Sequence, residues 1–174
     1  MIVGIKSIQD QGKTLTGVAL VRWLVTEGGY APGECYGNVA LSMPGFNRLN
    51  SNGMRELMGQ MVTGQWRHKV LFIDEINRVY PARMWKDPER TGELLTMWQD
   101  EKCFHWIIYT CHVGTSVDIL IREATQIIIV PKYRKERDII ELEVINSLDL
   151  EVHSEVIERV SRFFTDYDRW EIVS

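Results

Sequence analysis

Met1-Ile-Val-Gly-Ile-Lys-Ser-Ile-Gln-Asp-Gln-Gly-Lys-Thr14 places an apolar run ahead of a loop ending in Gly12-Lys13-Thr14, and an amphipathic stretch from Leu15 to Thr26 follows. Ile2, Val3 and Ile5 read as a short buried strand, and Leu15 to Thr26 as a helix. Strand, loop with Gly-Lys-Thr, helix is the context of a phosphate-binding P-loop. Successive backbone N–H groups curl into a nest for the β-phosphate oxygens, and the helix N-terminus adds about half a positive charge aimed at the same anion. Gln9, Asp10, Gln11, Gly12, Lys13, Thr14 and Leu15 would line this nest. Lys13 would reach the β- and γ-phosphates, and the Thr14 hydroxyl would ligate Mg²⁺. Ser7 stands where the full G-x-x-x-x-G-K-[ST] pattern has its first glycine. A plain strand–turn–helix can carry Gly-Lys-Thr by chance, so a second motif must decide.

Lys69-Val-Leu-Phe-Ile-Asp-Glu75 supplies it. Four consecutive apolar residues ending in two carboxylates describe a strand buried on both faces, with acids at its C-terminal end. Ligands bind at that end of open α/β sheets. In this Walker B pattern Asp74 holds Mg²⁺ through water, and Glu75 orients and deprotonates the attacking water. A strand with an accidentally acidic tip is the alternative, and the loop sixty residues upstream argues against it.

The 174 residues are 45% hydrophobic and 25% charged, an ordinary globular composition. They suffice for one domain, residues 1–174, with a substantial core. No window approaches a membrane span, and no signal peptide precedes the first strand. Cys35, Cys103 and Cys111 are odd in number and widely spaced, which fits a reducing compartment and no disulfide framework. A net charge of −4 gives no bulk attraction to nucleic acid, so DNA contact would need local patches or a pore lined by several subunits.

The remaining pattern continues in α/β fashion. Gly28 to Gly33 is a loop, Glu34 to Met43 contains a strand, Cys35 to Leu41, ended by Pro44-Gly45, and Ser51 to Val62 is a helix. A short helix or turn spans Ile76 to Pro81, and a helix runs from Asp87 to about Asp100. Trp106 to Cys111 is another buried strand. Thr110, Cys111 and His112 at its tip either sense a γ-phosphate or merely cap the strand. A helix begins in Gly114 to Asp118 and runs through Arg122-Glu-Ala. Gln126 to Val130 is a strand stopped by Pro131, Lys132 to Arg137 a basic turn, and Asp138 to Val144 a strand with one wet face. These last two strands read as an edge hairpin. Val152 to Phe164 is expected to be mostly helical, and Tyr167 to Ser174 a terminal strand. The run Cys103, His105, Cys111, His112 matches no tight-turn zinc spacing. Lys132 to Arg137 serves either as a phosphate contact or as a solvated turn. The tryptophans read as core or subunit-interface residues, with Trp85 and Trp170 the candidates for base stacking.

The order P-loop, Ile73-Asp-Glu75 with Tyr80-Pro-Ala-Arg83, Ile107-Ile-Tyr-Thr110, then Leu120-Ile-Arg-Glu-Ala124 resembles the zonula occludens toxin-like ATPases. These are filamentous-phage assembly proteins within the FtsK–HerA superfamily, which also holds genome-packaging ATPases of membrane-containing viruses. The similarity covers residues 2–14, 70–83, 107–132 and, weakly, Arg162 to Val173. It implies an ASCE, RecA-like P-loop NTPase: a three-layer α/β sandwich with a mainly parallel sheet, an extra strand between the Walker strands and an antiparallel C-terminal edge. It also implies that Lys13 and Thr14 bind ATP and Mg²⁺, that Asp74 supports the metal and that Glu75 is the catalytic base. Thr110 to His112 fall at the sensor position, where superfamily motors often have Gln. An arginine from a neighbouring subunit is expected, with Arg122, Arg83 and Arg90 as candidates.

By that resemblance the chain is an ATP-driven motor that translocates double-stranded DNA, packaging a viral genome into a capsid. Its partners would be its own copies in a pentameric or hexameric ring and a capsid or membrane-associated capsid protein. Its place would be the host cytoplasm or the virion. A phage assembly or secretion ATPase with protein cargo, and a nucleotide-binding regulatory module with little turnover, are the competing readings. Two features depart from the family: Ser7 in the loop, and the lack of the membrane segment of phage assembly proteins. The second favours packaging-type relatives or a shortened chain.

Overall fold

The computed structural model describes residues 1–50, 53, 56–57, 69–80, 104–113 and 117–166. Among the described residues eight strands form one sheet: β1 (Ile2–Ser7), β2 (Cys35–Gly37), β3 (Asn47–Arg48), β4 (Val70–Ile73), β5 (Trp106–His112), β6 (Ile127–Arg134), β7 (Ile139–Asn146) and β8 (Val152–Glu158). Their order across the sheet is β3-β2-β4-β5-β1-β6-β7-β8. Pairing is parallel from β3 through β6 and antiparallel from β6 to β8. β5 therefore separates the P-loop strand β1 from the acidic strand β4, as the resemblance implied.

Strand chemistry explains the layering. In β4 and β5 nearly every residue is buried, and successive side chains leave opposite faces. Ile107, Tyr109 and Cys111 join Leu71 and Ile73 on one face, beneath α2 (Ile76–Val79) and α3 (Ile119–Ala124) through Ile76 and Ile121. Val3, Ile5, Val70, Phe72 and Ile108 pack on the other face against α1 (Lys13–Thr26) through Leu15, Val18, Val21 and Leu24. Helices thus cover both faces of the sheet. Gly17 lets α1 approach β4: a Cβ there would lie 2.4 Å from the Phe72 ring. Asp118 caps α3, its carboxylate accepting from Leu120 N.

Four expectations need correction. The strand expected over Cys35 to Leu41 is only Cys35–Gly37: Asn38 N still reaches Phe72 O at 3.3 Å, but its side chain bonds the Asp74 backbone and the ladder ends there. Pro131 does not stop its strand, and β6 continues to Arg134. The β1 ladder ends at Ile5↔Ile129, so beyond that point a residue without an N–H costs β6 no bond to β1. The basic turn shrinks accordingly to Lys135–Arg137. Val152 to Phe164 is not helical: β8 pairs with β7 along its length, and a 3₁₀ turn follows at Val160–Phe163. Val152, Val156 and Val160 mimic helical spacing, but β-branched residues beside a ready-made edge strand gain more from pairing. Gly53, Glu56 and Leu57 are helical, within the expected Ser51 to Val62 helix. The Asp87 to Asp100 helix, the Tyr167 to Ser174 strand, and Arg83, Arg90, Trp85, Trp170 and Cys103 lie outside the described residues. Among the described residues no helix is long and apolar enough to cross a membrane.

Candidate nucleotide site

Topology brings the two motifs together. β1 delivers its loop, and β4 its acids, to the same end of the sheet, with the β5 tip between them. The register Ser7↔His112 and Ile73↔Tyr109 sets Thr110 to His112 across from both.

The loop ends at Gly12, the N-cap of α1, with φ +83° and no side chain closing the helix. The first-turn N–H groups are thus left to a ligand, as an anion cradle requires. A Cβ on Gly12 would stand 2.8 Å from Ile140 Cδ1, so the position excludes side chains by space as well as by φ. Gln9 and Asp10 lie in the exposed turn, Asp10 at φ +58°, and Gln11 is half-buried ahead of Gly12. Ser7 is buried at the end of β1 and is not among the positive-φ residues. That explains the tolerated departure: a position with ordinary φ does not need glycine.

Lys13 is 7% exposed and donates to Ile8 O at 2.7 Å, with His112 Nδ1 3.3 Å from Nζ. Burial lowers its pKa, against the attraction of Asp74 and Glu75. Thr14 Oγ1 donates to Asp74, 3.0 and 3.2 Å from the two carboxylate oxygens. Thr110 Oγ1 donates to Asp74 Oδ1 at 2.6 Å and accepts from Glu75 N at 2.8 Å. One hydroxyl therefore orients both acids. Burial raises the Asp74 pKa, while the hydroxyls of Thr110 and Thr14 and the Lys13 ammonium pull it back. A carboxylate so poorly solvated is stabilised by a divalent cation at its side. A hydroxyl and a carboxylate in contact are the hard-oxygen pair that Mg²⁺ takes when phosphates and water supply its other ligands. The residues fit ATP and Mg²⁺.

Glu75 adopts φ 50°, ψ 58°, a left-handed conformation that costs a non-glycine residue about 1–2 kcal/mol. Its carboxylate pairs with Arg78 Nε and stands 3.7 Å from His112 Nε2. The His112 ring therefore stands between Lys13 and Glu75, Nδ1 toward the ammonium and Nε2 toward the carboxylate. His112 thus links the phosphate lysine to the candidate base.

Hydrogen bonds join Thr14, Asp74, Thr110 and Glu75, another joins Lys13 and His112, and the two sets meet where His112 Nε2 stands 3.7 Å from Glu75. Arg122 stands exposed on α3, outside both. Of the zinc-like run, His105 bonds the Tyr30 hydroxyl and Cys111 is core. Sequence reasoning missed Asn38: Asp74 N donates to Asn38 Oδ1 at 2.7 Å, and Asn38 Nδ2 donates to Asp74 O at 2.9 Å. An amide directly after the strand flanking β4 was the available signal.

No family model matches the chain, and no curated protein matches it in sequence. Solved structures do match in shape. The N-terminal domain of zonular occludens toxin from Neisseria meningitidis aligns at TM-score 0.64, 14% identity, over 96% of this chain and 98% of that one. The genome packaging NTPase B204 of Sulfolobus turreted icosahedral virus 2 aligns at 0.59, 10% identity, over 88% and 95%. The cytoplasmic domain of the Thermomonospora curvata type VII secretion ATPase EccC aligns at 0.62, 11% identity, over 91% of this chain and 24% of that one. The sequence resemblance thus reappears among the structural neighbours, and the chain has the P-loop NTPase fold that it shares with them.

Proposed function

We propose that residues 1–174 form one Mg²⁺-dependent ATPase domain that translocates double-stranded DNA, packaging a viral genome into a capsid. The observation that carries the ATPase reading is the Thr110 bridge, which fixes Asp74 and Glu75 across from Lys13 and Thr14. The α1 N-terminus and Lys13 hold the triphosphate. Thr14 and Asp74 would hold Mg²⁺, which supplies charge neutralisation on the phosphates. Glu75 aligns water for in-line attack on the γ-phosphorus and takes its proton; ADP leaves as phosphate forms. His112 orients Glu75 from the lysine side. Arg122, exposed on α3, is the candidate to complete a neighbour's site in a pentameric or hexameric ring.

The packaging role is supported by the sequence resemblance and by B204, whose structures include complexes with ATP-gammaS and AMPPCP. A capsid protein is the implied partner, in the host cytoplasm or the virion. EccC, a secretion ATPase by name, favours a second reading with protein cargo. ATPase rate measured against protein concentration, with and without double-stranded DNA, separates them. The packaging reading expects a rate per subunit that rises with concentration and again with DNA. A concentration-dependent rate indifferent to DNA supports protein cargo, and no turnover at any concentration rejects both.

A further inference from the structure

Phe164 is 49% exposed, yet its turn is fixed on every side. Val160 N donates to Asp138 O at 3.0 Å, and the Asp138 carboxylate accepts from Ser161 N at 2.7 Å and Ser161 Oγ at 2.6 Å. Val160 and Phe163 are buried in the α1-side core. Beyond Phe164, Asp166 accepts from Arg22 Nη2 of α1 at 2.5 Å, and its carbonyl accepts from Ser42 N at 2.6 Å. A half-exposed phenyl ring on so constrained a turn is not loose surface: the fold presents it.

Its position gives it a use. The Phe164 ring meets Tyr133 edge-on, centroids 6.5 Å apart at 83°. Tyr133 in turn lies against the phosphate loop, where a Cβ on Gly12 would be 3.6 Å from Tyr133 Cβ. An ordered aromatic pair therefore stands beside the last loop residue before the helix. Backbone N–H groups and Lys13 read phosphate, and none of the groups described at the loop reads a base.

We infer that Tyr133 and Phe164 form the base subsite, stacking the purine ring of a nucleoside triphosphate. This rests on the reading that the loop binds the triphosphate. Stacking on a ring face tolerates any base but favours the larger ring system, so the subsite ranks purine above pyrimidine nucleotides.

Calorimetric titration of the full chain with ATP, CTP and inorganic tripolyphosphate, in Mg²⁺, tests it. Phe164 is the residue to change, because Tyr133 also packs on the core. The wild type is expected to bind ATP more tightly than CTP, and both more tightly than tripolyphosphate. Phe164→Ala should weaken ATP binding about 5- to 100-fold, leave tripolyphosphate unchanged and narrow the ATP–CTP gap, and Phe164→Trp should restore ATP affinity. The inference is overturned if wild type binds ATP no better than tripolyphosphate, or if Phe164→Ala leaves ATP affinity intact. It is equally overturned if Phe164→Ala weakens both ligands alike and lowers the sedimentation coefficient, which makes Phe164 a subunit contact. Failure of wild type to bind either polyphosphate removes the ATPase reading itself, and the subsite with it.

Discussion

Asn38 and Asp74 hold each other by two reciprocal bonds, Asp74 N to Asn38 Oδ1 at 2.7 Å and Asn38 Nδ2 to Asp74 O at 2.9 Å. The amide thereby fixes the backbone of the candidate metal-site carboxylate from just beyond the end of β2. Asn38→Ala leaves that peptide group without its partner, at a cost of about 1–3 kcal/mol. The melting temperature should fall, and an Mg²⁺ titration at fixed ATP should shift to higher concentration. A shift in neither would show that Asp74 is placed by Thr14 and Thr110 alone.

Glu75→Gln should keep ATP affinity while turnover falls by orders of magnitude, since the amide cannot take the proton. Equilibrium binding and single-turnover hydrolysis on the same sample separate the two effects. If sites are shared between subunits, mixing Glu75→Gln with Arg122→Ala chains should recover activity that neither has alone. Wild-type turnover by Glu75→Gln would reject the base assignment.

Lys13 carries its charge at a folding cost. Burial lowers its pKa from 10.5, so between the lowered value and 10.5 the unfolded chain binds more protons and stability rises with pH. Below that window the penalty is fully present. Lys13→Met should therefore raise the melting temperature at neutral pH, flatten the alkaline rise and abolish nucleotide binding. A lower melting temperature for Lys13→Met would contradict the sign.

Two other groups act oppositely at high pH. Burial raises the Cys35 thiol from 9.0 to about 11 and the Tyr109 phenol from 10.0 to about 12. Each deprotonates first in the unfolded chain, so stability falls as pH climbs through 9–11 and 10–12 respectively. In alkaline denaturation curves, Cys35→Ala should remove the earlier part of the loss and Tyr109→Phe the later part.

Gly12→Ala meets both a left-handed φ and Ile140 Cδ1 at 2.8 Å. A loss of about 1–2 kcal/mol is expected from φ alone, with weaker phosphate binding. Ile140→Val in the same chain should return only the steric share. Full recovery would show that the backbone conformation costs nothing.

The parts of the site legible in the sequence are those where chemistry sits on a strand tip or at the helix start just beyond one. Asp74 and Glu75 announce themselves because a buried strand rarely ends in two carboxylates without a ligand, and Lys13 and Thr14 because they follow a glycine where a helix starts just beyond a buried strand. Asn38 was silent, since its role depends on a backbone 36 residues away that only the parallel register brings alongside. β8 was misread because Val152, Val156 and Val160 satisfy both periodicities, and the deciding factor, β7's unpaired edge, is tertiary. Pro131 misled for the same kind of reason: the rule that proline ends strands assumes partners on both sides, and past Ile129 β1 supplies none. Ser7 is conspicuous as a missing glycine and proves ordinary, because it is the last residue of β1 and has no positive φ.

β1 lies inside the sheet, yet both its neighbours come late: Ile2 pairs with Ile107, and Val3 with Ile127. In chain order β1 therefore precedes both of its partner strands, β5 and β6. The central pairings of the sheet are thus among the most distant in sequence, which slows their formation. A nucleotide bound at the loop would stabilise this fold only once the central strands have closed, as a late lock rather than a template.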